Sequence, residues 1–300
     1  MNAENYSYKG FFILLIGGFL YSSYGVFSRI IGISLPQFFQ IWSRAAIILV
    51  FLFALVAITK TKLIKIKKSD WVWVLLNAGS TGLLLPFFFI AVNKMAIGTT
   101  LFSYFAMSTV VSYVLGSILF KEKLNQIKII SLFIVILGLL FIYFDALKIG
   151  DLRYILFSGL SGALFGLSIN SIKKLNNTYS SLQVNIFGWF GALIVNLIIS
   201  VVLGEHLNFT LISIPWAANF GFSLSSLIAS SLVVYGFKFI EMQKGSIVLL
   251  SELVFGALFG LFLYKEVPSV AALFGNILIL IALVLPNLKM GNKIVLESAT

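Results

Sequence analysis

Ten apolar runs, separated by short polar breaks, fill this chain from end to end. They cover residues 11–33, 36–58, 71–93, 97–120, 127–144, 152–172, 182–203, 215–239, 246–264 and 267–285. A helix rises 1.5 Å per residue, so about 20 apolar residues cross the hydrocarbon of a bilayer. The runs are that long and apolar on every face, unlike the shorter alternating strands of an outer-membrane barrel. The chain as a whole is 60% hydrophobic and 10% charged, against about 25% charged in a soluble domain. The reading is an all-α polytopic membrane protein with ten transmembrane helices. The first run is too long, and its upstream flank too weakly basic, for a cleaved signal peptide; it is taken as a retained helix.

The formal charge is +11. In a soluble chain that excess would point to nucleic acid, but ten spans supply a simpler account. With the N-terminus inside, fifteen Lys fall on cytoplasmic segments, from Lys9 through the Lys60–Lys68 cluster and Lys121, Lys123 and Lys128 to Lys289 and Lys293. Five basic residues (Arg29, Lys94, Lys148, Arg153 and Lys265) fall outside. Cytoplasmic loops collect Lys and Arg, so the bias places both termini in the cytoplasm and calls for no nucleic-acid partner. The expected location is the inner (plasma) membrane of a bacterium. The 60–68 cluster also offers charge to anionic lipid head groups.

A shift of 144 residues lays the chain on itself: Gly18 on Gly162, Leu20 on Leu164, Arg29 on Lys173, Gly116 on Gly260, Leu119 on Leu263 and Lys121-Glu122 on Lys265-Glu266. The halves, 1–148 and 149–300, hold five spans each. Five is odd, so the second half enters the membrane inverted relative to the first. Inverted repeats recur in secondary transporters, with the binding site near the midplane at the repeat interface.

The two repeat ends run from Ala106 to Lys121-Glu122 and from Ser251 to Lys265-Glu266. Each is a small-residue-rich helix closing on a loop glutamate, and an arginine, Arg44, stands early in the second span. In these features the whole chain resembles the EamA-like branch of the drug/metabolite transporter superfamily. The resemblance implies ten helices, inverted five-helix repeats and alternating access. It also implies a proline inside spans four and nine, where this chain has Thr109 and Leu253.

Few residues within the spans carry chemistry. Glu252 is the one acid well inside a span and Arg44 the one base. Charges at that depth cost about 2.5–3.5 kcal/mol on insertion scales. Glu252 is the candidate proton-coupling acid and a partner for a substrate amine. Arg44 has the planar fork that grips a carboxylate or phosphate. Together they could bracket a zwitterion. The competing reading makes both structural, bonded within the bundle. Tyr21, Tyr24, Trp42, Asn77, Tyr104 and Asn170 complete the candidate substrate-binding set. Trp42, Tyr104, Tyr113 and Trp189 could form an aromatic cage for a quaternary amine, although thirty Phe make any one aromatic weak evidence. Asn196, Asn219, Asn276 and Ser168 suit interhelical hydrogen bonds, and Pro86 a kink in span three. Glu122 and Glu266 are expected to cap a following helix or bind a nearby lysine, and His206 to be a solvated loop residue.

The leading expectation is a secondary active transporter exporting small amphipathic metabolites, with amino acids the favoured class. The nearest rival is a proton-coupled importer of a small metabolite or amine; an exchanger is a further form. No Walker A motif is present to drive transport with ATP. An intramembrane enzyme is disfavoured, since zero Cys and one His leave no cluster of catalytic or metal-ligating groups. No cofactor or metal is expected. The remaining partners are the substrate, the bilayer and, for a homodimer, a second copy.

Overall fold

A computed structural model describes residues 3–32, 34–94, 97–144, 152–205, 213–265 and 267–288. His206, Glu266, Lys148, Lys289 and Lys293 lie outside the described residues. The described chain is helical: α1 (Ala3–Ile31), α2 (Gln37–Ile58), α3 (Trp71–Val92), α4 (Ile97–Phe120), α5 (Gln126–Tyr143), α6 (Leu152–Leu175), α7 (Ser181–Val202), α8 (Ile214–Gly236), α9 (Met242–Leu249), α10 (Ser251–Tyr264) and α11 (Val270–Leu288). Among the described residues, nine segments are long and apolar enough to cross a membrane, α9 and α10 counting together as one; Val270–Pro286 is a shorter apolar helix. The protein is therefore a multi-pass membrane protein. Its outer face agrees: Val50, Ile58, Val202, Phe262 and Val270 are all more than two-thirds exposed, an apolar surface that only lipid or another protein can cover.

The helix pairing has the form of two halves exchanged by a two-fold axis. Matching α1 to α6, α2 to α7, α3 to α8, α4 to α9–α10 and α5 to α11 turns the α1·α8 pair into α3·α6. The same exchange turns α4·α6 into the packing of α1 on α9 and α10, while α2·α7, α4·α9 and α5·α11 map onto themselves. Gly18 and Gly162, superposed by the 144-residue shift, mark equivalent crossings. A Cβ on Gly162 would drive into the Tyr104 backbone on α4, and one on Gly18 into the Ser251 side chain beside the Glu252 backbone N at 3.3 Å. Close crossings at small residues are how membrane helices gain packing without a hydrophobic drive.

Polar side chains sew the helices together where the apolar background cannot. Ser161 on α6 donates to the Leu84 carbonyl on α3 (2.6 Å), and Asn196 on α7 donates to the Gly82 carbonyl (3.1 Å). On the other side Ser23 and Ser225 join α1 to α8 at 2.8 Å.

Span nine breaks without a proline. Leu250 N donates to the Ile247 carbonyl and Leu253 N to the Leu250 carbonyl, both at 3.0 Å. These three-residue bonds tighten one turn, so α9 ends at Leu249 and α10 begins at Ser251. Such tight turns inside a helix often mark a functional hinge. The break sits where Gly18 brings α1 against it, and it places Glu252 in the first turn of α10.

Candidate functional site

Arg44 lies on the buried face of α2, 7% exposed. Its guanidinium carbon stands 3.8 Å from the centre of the Phe222 ring on α8. Phe222 in turn meets Tyr24 of α1 edge-on at 4.5 Å and stacks on Phe27 at 5.7 Å. A desolvated cation over an aromatic face gains about 2 kcal/mol, which holds the side chain in place but gives its N–H groups no acceptor. Arg44 Nε is buried without a hydrogen-bond partner, and among the described residues no ion pair reaches Arg44.

Glu252 is half-buried on α10 and, among the described residues, has no hydrogen-bond or ion-pair partner. Tyr21, Tyr24, Tyr104 and Tyr143, which come from α1, α4 and α5, lie within electrostatic reach of its carboxyl. Tyr24 feels both Arg44 and Glu252, and its ring meets that of Tyr21 edge-on at 5.1 Å. A basic and an acidic residue, neither with a hydrogen-bond or ion-pair partner among the described residues, thus share the neighbourhood of a tyrosine pair. These residues can offer a bidentate donor, a carboxyl group and aromatic ring faces.

Five of the eight expected site residues come together here: Arg44, Glu252, Tyr21, Tyr24 and Tyr104. Of the other three, Trp42 packs against the cluster that holds Phe222, and Asn77 and Asn170 stand elsewhere. Trp42 donates to Ser200 Oγ (3.3 Å), whose hydroxyl donates to Glu205 Oε2 (2.7 Å). Glu205 also accepts the backbone N–H groups of Phe38 (3.0 Å) and Phe39 (2.7 Å), so the indole N–H of Trp42 is tied to the cap of α2 while its ring packs against the cluster of Phe39 and Phe222. Asn77 is 1% exposed, donates to the Val184 carbonyl (3.2 Å) and accepts from Ser168 (3.3 Å), inside the α3–α6–α7 seam. Asn170 is fully buried and donates back along α6 to the Gly166 carbonyl (2.8 Å). The four aromatics considered as a cage do not form one ring: Trp189 donates to Ser230 (3.1 Å) and Tyr113 is buried between α4 and its neighbours. Phe222 and Tyr143 join this group with no signal in a sequence so rich in aromatics. Among the described residues no group of three or more His, Cys, Asp or Glu could hold a metal ion.

A second charged cluster sits at the end of the bundle. Lys121 adopts a left-handed φ of 54°, turning the chain so that Glu122 reaches α9. Glu122 accepts from Met242 N (2.6 Å), Gln243 N (3.0 Å) and Lys173 Nζ (2.7 Å). A carboxylate on the first N–H groups of a helix also meets the positive end of its dipole. Lys173 additionally donates to the Ile240 carbonyl (2.9 Å) and lies 4.9 Å from the Phe120 ring. The 144-residue equivalents repeat the geometry: Lys265 has φ 56°, and Arg29 stands 4.4 Å from the Tyr264 ring. Beside this cluster Lys128 and Lys244 flank Glu241 at 3.1 and 3.3 Å. Burial alone would raise the Glu241 carboxyl, but the two ammonium groups overcome it and hold it below its ordinary value.

The model of the EamA-like transporter family matches residues 8–144 and again 152–288. No curated protein matches. Among solved structures, one titled only as the crystal structure of a protein superposes with a TM-score of 0.82 at 12% identity, covering 94% of this chain and 98% of its own. That likeness shows the fold alone.

Proposed function

The chain belongs to the EamA-like transporter family of the drug/metabolite transporter superfamily, and from that premise we propose that it is a secondary active exporter of small amphipathic metabolites, amino acids being the favoured class. The observation that carries the reading is the pair of unpartnered opposite charges. A buried charge without a partner costs several kcal/mol; a zwitterion between Arg44 and Glu252 would satisfy both at once, its carboxylate on the guanidinium and its ammonium on the carboxylate. The tyrosines would face its side chain, which favours amphipathic substrates over purely polar ones. In this reading the ten helices form two inverted five-helix repeats, 1–148 and 149–300, working by alternating access in a bacterial inner membrane with both termini cytoplasmic. The tight turn at Leu250, between the two halves of span nine, is a natural place for the site to flex.

One observation favours a second reading. Glu252 has no basic partner, so a proton could serve it as well as an ammonium group does, and a proton-coupled importer would use the same residue. The test is a thermal-shift screen of zwitterionic metabolites on the purified protein, followed by counterflow in proteoliposomes. A ligand that binds the native form raises its apparent stability. Saturable counterflow of a stabilising zwitterion is the expected result; stabilisation by singly charged compounds alone would refute the zwitterion site.

A further inference from the structure

The connection from α2 to α3 is a braced basic strap, and we propose that it is a binding surface for anionic phospholipid head groups. Lys60 takes a left-handed φ of 51° at the end of α2, with Thr61 N donating to the Val56 carbonyl (3.1 Å). The chain then runs without regular structure to a short 3-10 turn, Lys68–Asp70, that leads into α3.

The strap is held by α7 and its approach. Gln183 uses both ends of its amide on one residue: Oε1 accepts from Ile64 N (3.1 Å) and Nε2 donates to the Ile64 carbonyl (2.7 Å). Tyr179 accepts from Lys67 N (3.0 Å) and donates to Asp70 (2.8 Å). Asp70, the strap's sole acid, also accepts from Ser69 (3.0 Å).

What remains outside is charge of one sign. Lys60, Lys62, Lys65, Lys67 and Lys68 are all exposed, and among the described residues none is in an ion pair. Lys174, from the end of α6, joins them 6.0 Å from the Trp73 ring. Such a patch calls for an anion, and its surroundings say which kind. The lysines are interleaved and flanked by exposed Ile58, Leu63, Ile64, Trp71 and Val72. Apolar side chains and an exposed indole at the ends of two spans fit the head-group layer, where water-borne nucleic acid would leave them uncovered. Basic residues near an anionic membrane surface each contribute severalfold to its attraction.

This inference stands apart from the substrate reading, and its test involves no transport. The full-length protein is reconstituted in nanodiscs of equal phosphatidylglycerol and phosphatidylcholine, extracted in detergent, and its retained lipid measured. The wild type should be enriched in phosphatidylglycerol, and the enrichment should fall as salt rises. Lys62→Gln, Lys65→Gln and Lys67→Gln should each lower the competitive affinity about five-fold, whereas Arg at the same positions should keep it. Wild-type protein without enrichment, or with enrichment indifferent to salt, overturns the proposal, as does retention of a short RNA in place of phospholipid. If a Gln variant fails to fold, the Arg variants and the salt titration still decide.

Discussion

Glu122, at the end of the bundle, and the Arg44–Glu252 pair, within it, treat charge in opposite ways. Glu122 is 5% exposed, yet three N–H donors reach it, one of them the ammonium of a lysine that is itself 16% exposed. Arg44 has a Phe222 ring and no acceptor; Glu252 has neighbouring phenols and no donor. Charge-assisted bonds offset desolvation in the first place and not in the second. A charge whose partners are all in the protein serves the fold. A charge whose partners are missing from the protein is one that a substrate could satisfy.

The largest effect on stability belongs to the satisfied cluster. Glu122→Ala strips Lys173 and the first turn of α9 of their acceptor, and breaking such a buried pair costs about 3–5 kcal/mol. Thermal unfolding in detergent should show a large fall in Tm; an unchanged Tm would erase the contrast. Next come the two glycine crossings. Gly162→Ala drives a methyl into the Tyr104 backbone, which cannot rotate away, at a cost of about 1–3 kcal/mol. Gly18→Ala meets the Ser251 side chain, which can rotate, so its fall in Tm should be smaller. Equal losses would contradict the unequal contacts.

Arg44→Met and Glu252→Gln come third and should reverse the pattern. Removing an unpaired buried charge costs little stability and can even add some, so Tm should move by less than about 1 kcal/mol equivalent or rise, while transport collapses. Glu252→Gln should in particular abolish pH-driven flux and leave exchange largely intact; unchanged pH dependence in the folded variant would remove Glu252 as the coupling acid. The smallest effect concerns Glu241. Its carboxyl is held below the ordinary 4.5 by Lys244 and Lys128, so its ion pairs contribute above that value and are lost as pH falls through the lowered one. Because its side chain is 44% exposed, the acid-side loss of Tm should stay under about 1 kcal/mol, and Glu241→Gln should remove that part of the slope.

Spans were legible in the sequence because hydrocarbon asks only for length and apolarity. The repeat was legible at Gly18 and Gly162 because a close crossing tolerates few residues. Arg44 and Glu252 stood out because charge within a span is rare. Their neighbours did not. In a chain apolar on every face no periodicity tells which side of a helix looks inward, so Phe222 was indistinguishable from lipid-facing Phe, and Asn77 or Asn170 from a ligand. Glu122 was expected to cap a following helix or bind a lysine; it does both, but the helix is α9, about 120 residues on, a pairing only the tertiary fold creates. The tight turn at Leu250 was equally hidden, since no proline marks it and only the fold brings Gly18 against it.

The central claim is that Arg44 and Glu252 are left unpaired for a substrate that brings both charges. Counterflow in proteoliposomes would test it with three ligands sharing one side chain: a zwitterionic amino acid, the amine lacking its carboxylate and the acid lacking its ammonium. Wild-type protein should prefer the zwitterion; Arg44→Met should erase its advantage over the amine, and Glu252→Gln its advantage over the acid. Equal losses for all three ligands in both variants would contradict the claim and return the two charges to the fold.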